Sequence, residues 1–143
     1  MDQIKPTTNE EKASWPKVVK VALEKPFEDA RGAIQPLVDV TMESCVLISS
    51  KKGSVRANHY HKTDWHYCYV LSGEIDYYHR PTGTDAAPEK VTIRTGELFF
   101  TPPMVDHAMV FVHDTVFLTL GRNSREQAVY EADVVRIPPI NPQ

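Results

Sequence analysis

The sequence predicts an all-β protein, a small antiparallel barrel or sandwich, on three observations. From Trp15 onward, short runs rich in Val, Ile, Tyr and Phe follow one another. Clusters of Gly, Pro, Asp and Ser separate them, the punctuation that ends strands and turns the chain. Helical patterning is confined to one short stretch near the C-terminus. Many short strands without intervening helices close into a barrel or pack as two sheets.

In chain order, the opening MDQIKPTTNEEKAS is polar and offers little to bury, so residues 1–14 are expected to form a mobile arm and 15–143 a single domain. Strands are expected over 18–23, 33–40, 44–49, 66–71, 74–80, 90–94, 98–101, 108–112 and 116–120. The breakers between them include Asp29-Ala30-Arg31-Gly32, Lys52-Gly53, Ser72-Gly73, Pro81-Thr82-Gly83-Thr84, Thr95-Gly96 and Pro102-Pro103. Ser124 with Gln127 three residues later has the pattern of a capping box and predicts a short helix over 125–130. The closing Ile137-Pro138-Pro139-Ile140-Asn141-Pro142 cannot continue a helix and predicts an extended tail.

Composition narrows the function classes. A net charge of −3 with scattered basic residues gives no footprint for nucleic acid or an anionic membrane. No apolar run approaches the roughly 20 residues of a membrane helix, and the polar N-terminus has no signal-peptide pattern. Cys45 and Cys68 sit inside apolar runs and are expected to be buried free thiols, which makes the cytoplasm the expected compartment.

Four of the six histidines form a pattern. His59 and His61 are one residue apart, so on a strand both imidazoles project to the same face. His66 opens an alternating run in which His66, Cys68 and Val70 share a face. His107 follows the Pro102-Pro103 breaker and opens another strand. Three or four imidazoles converging in a barrel mouth suit one divalent ion such as Zn, Fe, Mn or Ni. His79 and His113 lie near strand ends and are expected at the surface.

The spacing carries a family resemblance. Gly53 is followed after five residues by His59-Tyr60-His61, after four more by His66 and after six more by Gly73. Gly96 is followed after five residues by Pro102, and then by His107. This resembles the paired cupin motifs G-x5-H-x-H-x3–4-E-x6-G and G-x5-P-x-G-x2-H-x3-N. The resemblance implies a double-stranded β-helix, or jelly-roll barrel, with a metal held by His59, His61, His66 and His107. Three positions depart from the motifs: His66 replaces a glutamate ligand, Met104 a glycine and Phe111 an asparagine. Asp64 and Asp106 lie close in sequence as further partners or as an alternative ligand.

A narrower likeness lies in Arg56-Ala57-Asn58-His59-Tyr60-His61-Lys62. It is similar to the R-G-x-H-Y-Q of dTDP-4-dehydrorhamnose 3,5-epimerases, the R-G-x-H-A-H-K of dTDP-sugar 3,4-ketoisomerases and the R-G-N-H-Y-H of capsular-polysaccharide nucleotide-sugar cupins. Phe27-Glu28-Asp29-Ala30-Arg31-Gly32 resembles the F-x-D-x-R-G segment of the same groups. The resemblance implies His59 and His61 as catalytic histidines, Arg31, Arg56 and Lys62 as substrate-binding cations, and a homodimer formed by exchange of N-terminal strands. A metal-bound histidine cannot also abstract a proton, so with a metal present the base is a tyrosine such as Tyr77 or Tyr69, or a metal-bound hydroxide.

Three functions remain open on these residues. The first is an isomerase or epimerase of a keto-sugar nucleotide or related carbohydrate, with the small-molecule substrate in the barrel. The second is a metal-dependent dioxygenase of a small organic substrate in a barrel lined by His66, Cys68, Phe99 and Phe100. The third is a binding module without turnover.

Overall fold

The computed structural model describes residues 4–143, so the first three residues of the expected arm lie outside the described residues. Two five-stranded antiparallel sheets face each other. One runs in the order β1 (Lys20–Val21), β9 (Leu98–Thr101), β6 (His66–Ser72), β11 (Thr115–Gly121) and β4 (Ser44–Ser50). The other runs β12 (Val134–Arg136), β5 (Val55–His61), β10 (Val105–Phe111), β7 (Glu74–Pro81) and β8 (Glu89–Arg94). A separate hairpin joins β2 (Phe27–Asp29) to β3 (Gly32–Ile34). This is the expected jelly-roll barrel.

Strand alternation builds two hydrophobic layers. On β6, His66, Cys68 and Val70 point between the sheets, as expected, where Cys68 and Val70 join Ile75, Tyr77, Ile93, Phe99, Phe111 and Phe117. Tyr67 and Tyr69 point outward, yet they are covered. Tyr67, Trp65, Leu98 and Phe100 form a second cluster, against which Trp15, Val21, Leu23, Val38, Met42 and Tyr69 pack. Phe99 and Phe100 therefore belong to opposite faces of β9 and to two cores, and neither lines the cavity of the histidines.

Several elements differ from the sequence expectation. The strand expected over 18–23 contracts to Lys20–Val21, paired with β9 of the same chain. Of the run 33–40 only Ala33 and Ile34, the end of β3, are strand; Val38 leaves the sheets to pack on the outer cluster. Residues 9–14 of the expected arm form helix α1 (Asn9–Ser14), closed by a capping box between Thr8 and Glu11. Glu11 accepts hydrogen bonds from Trp65 Nε1 at 3.2 Å and Arg122 Nε at 2.7 Å, tying α1 to the barrel. The C-terminal helix α2 spans Gln127–Asp133, and its N-cap is Glu126 with no side-chain hydrogen bond. Ser124 instead accepts from the Glu126 amide, so Arg125 lies ahead of the helix rather than in it. Cys45 is exposed on edge strand β4, whereas Cys68 is buried; both are free. No helix among the described residues is long and apolar enough to cross a membrane.

Candidate metal centre and cavity

The histidines are brought together by an irregularity in β5. His59 pairs with His107 of β10, but the next pair along is Ala57 with Ala108, so Asn58 is an inserted residue. Ala57 and Asn58 have φ of 70° and 56°, in the left-handed region. Asn58 suits that conformation and is held there: its side chain bonds Asn141 Oδ1 and accepts from the Ile140 amide, both at 2.9 Å. Ala57 occupies the position where the resembling motifs carry glycine, and an alanine there costs about 1 kcal/mol of backbone strain.

Beyond this bulge the imidazoles converge. The ring centroids of His59 lie 4.8 Å from His61 and 4.7 Å from His107. His66 stands 5.5 Å from His61 and 6.0 Å from His107. Ligand atoms of His59, His61 and His107 lie within 4.8 Å of one another, as do those of His61, Asp64 and His66. His61, His66 and His107 are buried.

Hydrogen bonds orient the rings. His61 Nδ1 bonds Asp133 Oδ2 at 3.0 Å, and His107 Nδ1 bonds the Val105 carbonyl at 3.0 Å. With Nδ1 as donor, Nε2 is the lone-pair atom in each ring. His66 Nδ1 is buried without a hydrogen-bond partner; Asp64 Oδ2 approaches only to 3.5 Å, outside bonding geometry. Burial, and then the neighbouring imidazoles of His61 and His66, push His59 down to about 3. Burial, and then the imidazoles of His59, His61 and His66, hold His107 well below the ordinary histidine range. Both are neutral donors at pH 7. Burial alone would raise Asp133, but bonds from His61 and Thr63 hold its carboxyl below the usual range.

Clustered donors, with His59 and His107 held neutral by burial, oriented rings and an orphaned buried nitrogen fit a divalent metal. His59, His61 and His107 form one such set, and His66 joins it through His61 as the fourth. Cys68 also lines the cavity, but burial pushes its thiol up to about 12, so it stays protonated. The space open to water is about 100 Å³, walled by Val46, Ile48 and Met109 and bounded toward solvent by Asp64, Arg125 and Tyr130.

Other sequence candidates do not reach this cavity. Tyr77 is buried behind His107, with ring centroids 6.1 Å apart, and its hydroxyl pairs with Thr101 Oγ1 at 2.8 Å. Burial raises its pKa above the ordinary tyrosine value, the opposite of what a base requires. Tyr69 lies on the outer cluster. Arg31 is an exposed hairpin residue paired with Asp29 at 2.7 Å. Arg56 is spent on β4, bonding Ser50 Oγ at 2.7 Å and the Ser49 carbonyl at 3.0 Å. Lys62 is exposed and bonds the Ala132 carbonyl at 3.3 Å. Asp106 serves Arg80 and Thr82 on the far face. His113 is exposed as expected, but His79 is half-buried beside Tyr77, its Nε2 without a hydrogen bond and 3.7 Å from Glu89 Oε2.

Residues the sequence did not nominate take their place. Asp133 is 72 positions from His61, and nothing local marks it. Arg125 and Tyr130 reach the cavity mouth only because α2 begins after Arg125 and folds back toward β5 through β12.

With this geometry in place, comparison assigns the class. Residues 46–121, more than half of the chain, match the cupin domain family, and the chain belongs to it. No curated protein matches it by sequence. Among solved structures it is similar to the sugar 3,4-ketoisomerase QdtA from Thermoanaerobacterium thermosaccharolyticum in complex with TDP, at 17% identity and a TM-score of 0.64 over 83% of this chain and 85% of that one. It is also similar to dTDP-4-dehydrorhamnose 3,5-epimerase from Sulfolobus tokodaii, at 16% identity and a TM-score of 0.63 over 80% and 74%. The capsular polysaccharide assembling protein CapF from Staphylococcus aureus aligns at 18% identity and a TM-score of 0.59 over 81% of this chain and 34% of CapF. At these identities the likeness establishes the fold.

Proposed function

We propose that this cupin binds one divalent metal ion through His59, His61, His107 and His66 and works as an isomerase or epimerase on a keto-sugar nucleotide or a related carbohydrate. The observation that carries the reading is the convergence of four imidazoles on a small cavity beside the Asp64 carboxylate. The fold shared with a sugar ketoisomerase and a sugar epimerase supports the choice of substrate class. A bound divalent ion supplies Lewis-acid polarisation of a carbonyl oxygen, which acidifies protons on the adjacent carbons.

The chain's own residues do the rest. Asp133 and the Val105 carbonyl fix the tautomers of His61 and His107, keeping Nε2 of each as the ligating atom. Asp64 Oδ2 takes a proton from the carbon next to the carbonyl. Isomerisation returns it to the former carbonyl carbon as the adjacent hydroxyl gives up its proton to become the new carbonyl, and epimerisation instead takes a proton from water on the opposite face. Asp64 is oriented for this by the Asn123 amide, which donates to Oδ1 at 2.8 Å. Burial raises the Tyr130 hydroxyl above its ordinary value, so Tyr130 remains a hydrogen-bond donor to the substrate. Val46 and Ile48 of β4, faced by Met109 of β10, form the apolar wall that excludes water.

The same apolar wall favours a second reading, a metal-dependent dioxygenase of a small organic substrate. Incubation with dTDP-4-keto-6-deoxyglucose in D2O separates the two. The isomerase reading expects deuterium beside the carbonyl, no oxygen uptake, and loss of exchange on chelation or in Asp64→Asn. Oxygen uptake dependent on Fe(II), without exchange, supports the dioxygenase. Neither activity across a panel of keto-sugar nucleotides and small organic acids leaves a binding module.

A further inference from the structure

Arg125 is placed differently from the other arginines near the cavity. Its guanidinium carbon lies 3.6 Å from the centroid of the Tyr130 ring. Its side chain is exposed at the cavity mouth, and among the described residues it makes no hydrogen bond or ion pair. Arg136 is committed to Glu131 through bonds of 2.9 and 3.0 Å. Arg122 is committed to Glu11, and Arg56 to β4. A stacked guanidinium is held in place by its face, while its in-plane N–H donors remain free to bind an oxyanion as a fork. The Tyr130 ring that braces it also lies 5.9 Å from the His61 ring, so cation and imidazoles flank one side chain.

We propose that Arg125, braced on Tyr130, is the oxyanion anchor of the site, binding the phosphate or carboxylate of a ligand whose other end reaches the histidines. The inference rests on the metal-centred carbohydrate reading and deepens it. In a nucleotide sugar the anchored group is the diphosphate. The space of about 100 Å³ among the histidines accommodates the reacting edge of a ligand and little more, since pockets that enclose a drug-sized molecule span roughly 300–1,000 Å³. The remainder of a larger substrate leaves through the mouth, where Arg125 stands. The anchor replaces Arg31, Arg56 and Lys62, none of which lines the cavity.

Calorimetric titration of the full-length, metal-loaded protein with thymidine diphosphate, inorganic pyrophosphate and succinate tests the anchor. In Arg125→Gln the preferred oxyanion binds roughly 10- to 100-fold more weakly, the loss expected for a charge-assisted hydrogen-bonding group. Metal content and unfolding midpoint stay at wild-type values, because the side chain is exposed. Arg125→Lys recovers part of the affinity. A preference for thymidine diphosphate that is lost in Arg125→Gln supports both the anchor and the nucleotide-sugar reading. A preference for succinate, lost in the same variant, supports the anchor and sinks that reading. Diphosphate bound equally by wild type and Arg125→Gln overturns the anchor and leaves the reading standing. Failure of the wild type to bind any of the three also overturns it.

Discussion

Strands β6, β10 and β11 each run from the cavity into the packed end of the barrel, and along each the inward side chains change character. On β6, His66 gives way through Cys68 to Val70; on β10, His107 gives way through Met109 to Phe111; on β11, Thr119 gives way to Phe117. The packed end is filled by aromatic contact, with Phe111 and Phe117 stacked at 5.8 Å and Tyr77 against Phe99 at 5.2 Å. The other end holds imidazoles and open space. One end therefore holds the strands in place, and the other spends that rigidity on fixing donors that bury poorly by themselves.

The largest expected effect separates the two ends. Phe117 is fully buried, and Phe117→Ala should lower stability by about 3–5 kcal/mol, measured by urea denaturation of the metal-free protein. His107→Ala should instead abolish metal binding, with a smaller stability loss. If both variants lose stability alike, the histidine end is a structural core and not a site.

Asp133→Asn comes next. It keeps the shape but weakens the bond to His61 Nδ1, and metal affinity should fall roughly 10–100-fold by competition with a chromophoric chelator. Unchanged affinity would detach Asp133 from the metal centre.

The two ends should also differ in pH response. His59 is depressed from 6.5 to about 3 and His107 is likewise depressed, so the unfolded chain binds protons that the metal-free fold refuses. Stability of the chelated protein is therefore intact above about pH 6.5 and falls as pH drops toward 3. Denaturation midpoints across that range test this, and His59→Gln should flatten the slope. The packed end titrates no group there, so Phe117→Ala should shift the curve downward without changing its slope.

The smallest effect concerns the bulge that sets the registration. Ala57→Gly removes a side chain from a left-handed backbone at φ 70° and should stabilise by up to about 1 kcal/mol, with metal content unchanged. A destabilised variant would mean that the Ala57 methyl packs usefully.

The barrel was legible because its strands obey alternation: the parity of His66, Cys68 and Val70 gave the inward face of β6 directly. The histidines were legible because a strand pair at i and i+2 and two flanking glycine-to-histidine spacings survive in sequence order. Tyr77 shows where parity stops. It points inward, as alternation predicts, but parity cannot tell a filled interior from a cavity. Asp133 and Arg125 were hidden for another reason, since each reaches the site through the fold-back of α2 and β12 onto β5. Thr8 and Glu11 carried a readable capping box, masked by the polarity of the segment.

The most direct test of the central claim is elemental analysis of protein purified without a metal-affinity column, for wild type and His107→Ala. The account predicts about one equivalent of a divalent transition metal in the wild type and little in the variant, with both folded by near-ultraviolet circular dichroism. A folded wild type that carries no metal, and takes up none of Zn, Fe, Mn or Ni on dialysis, would contradict it.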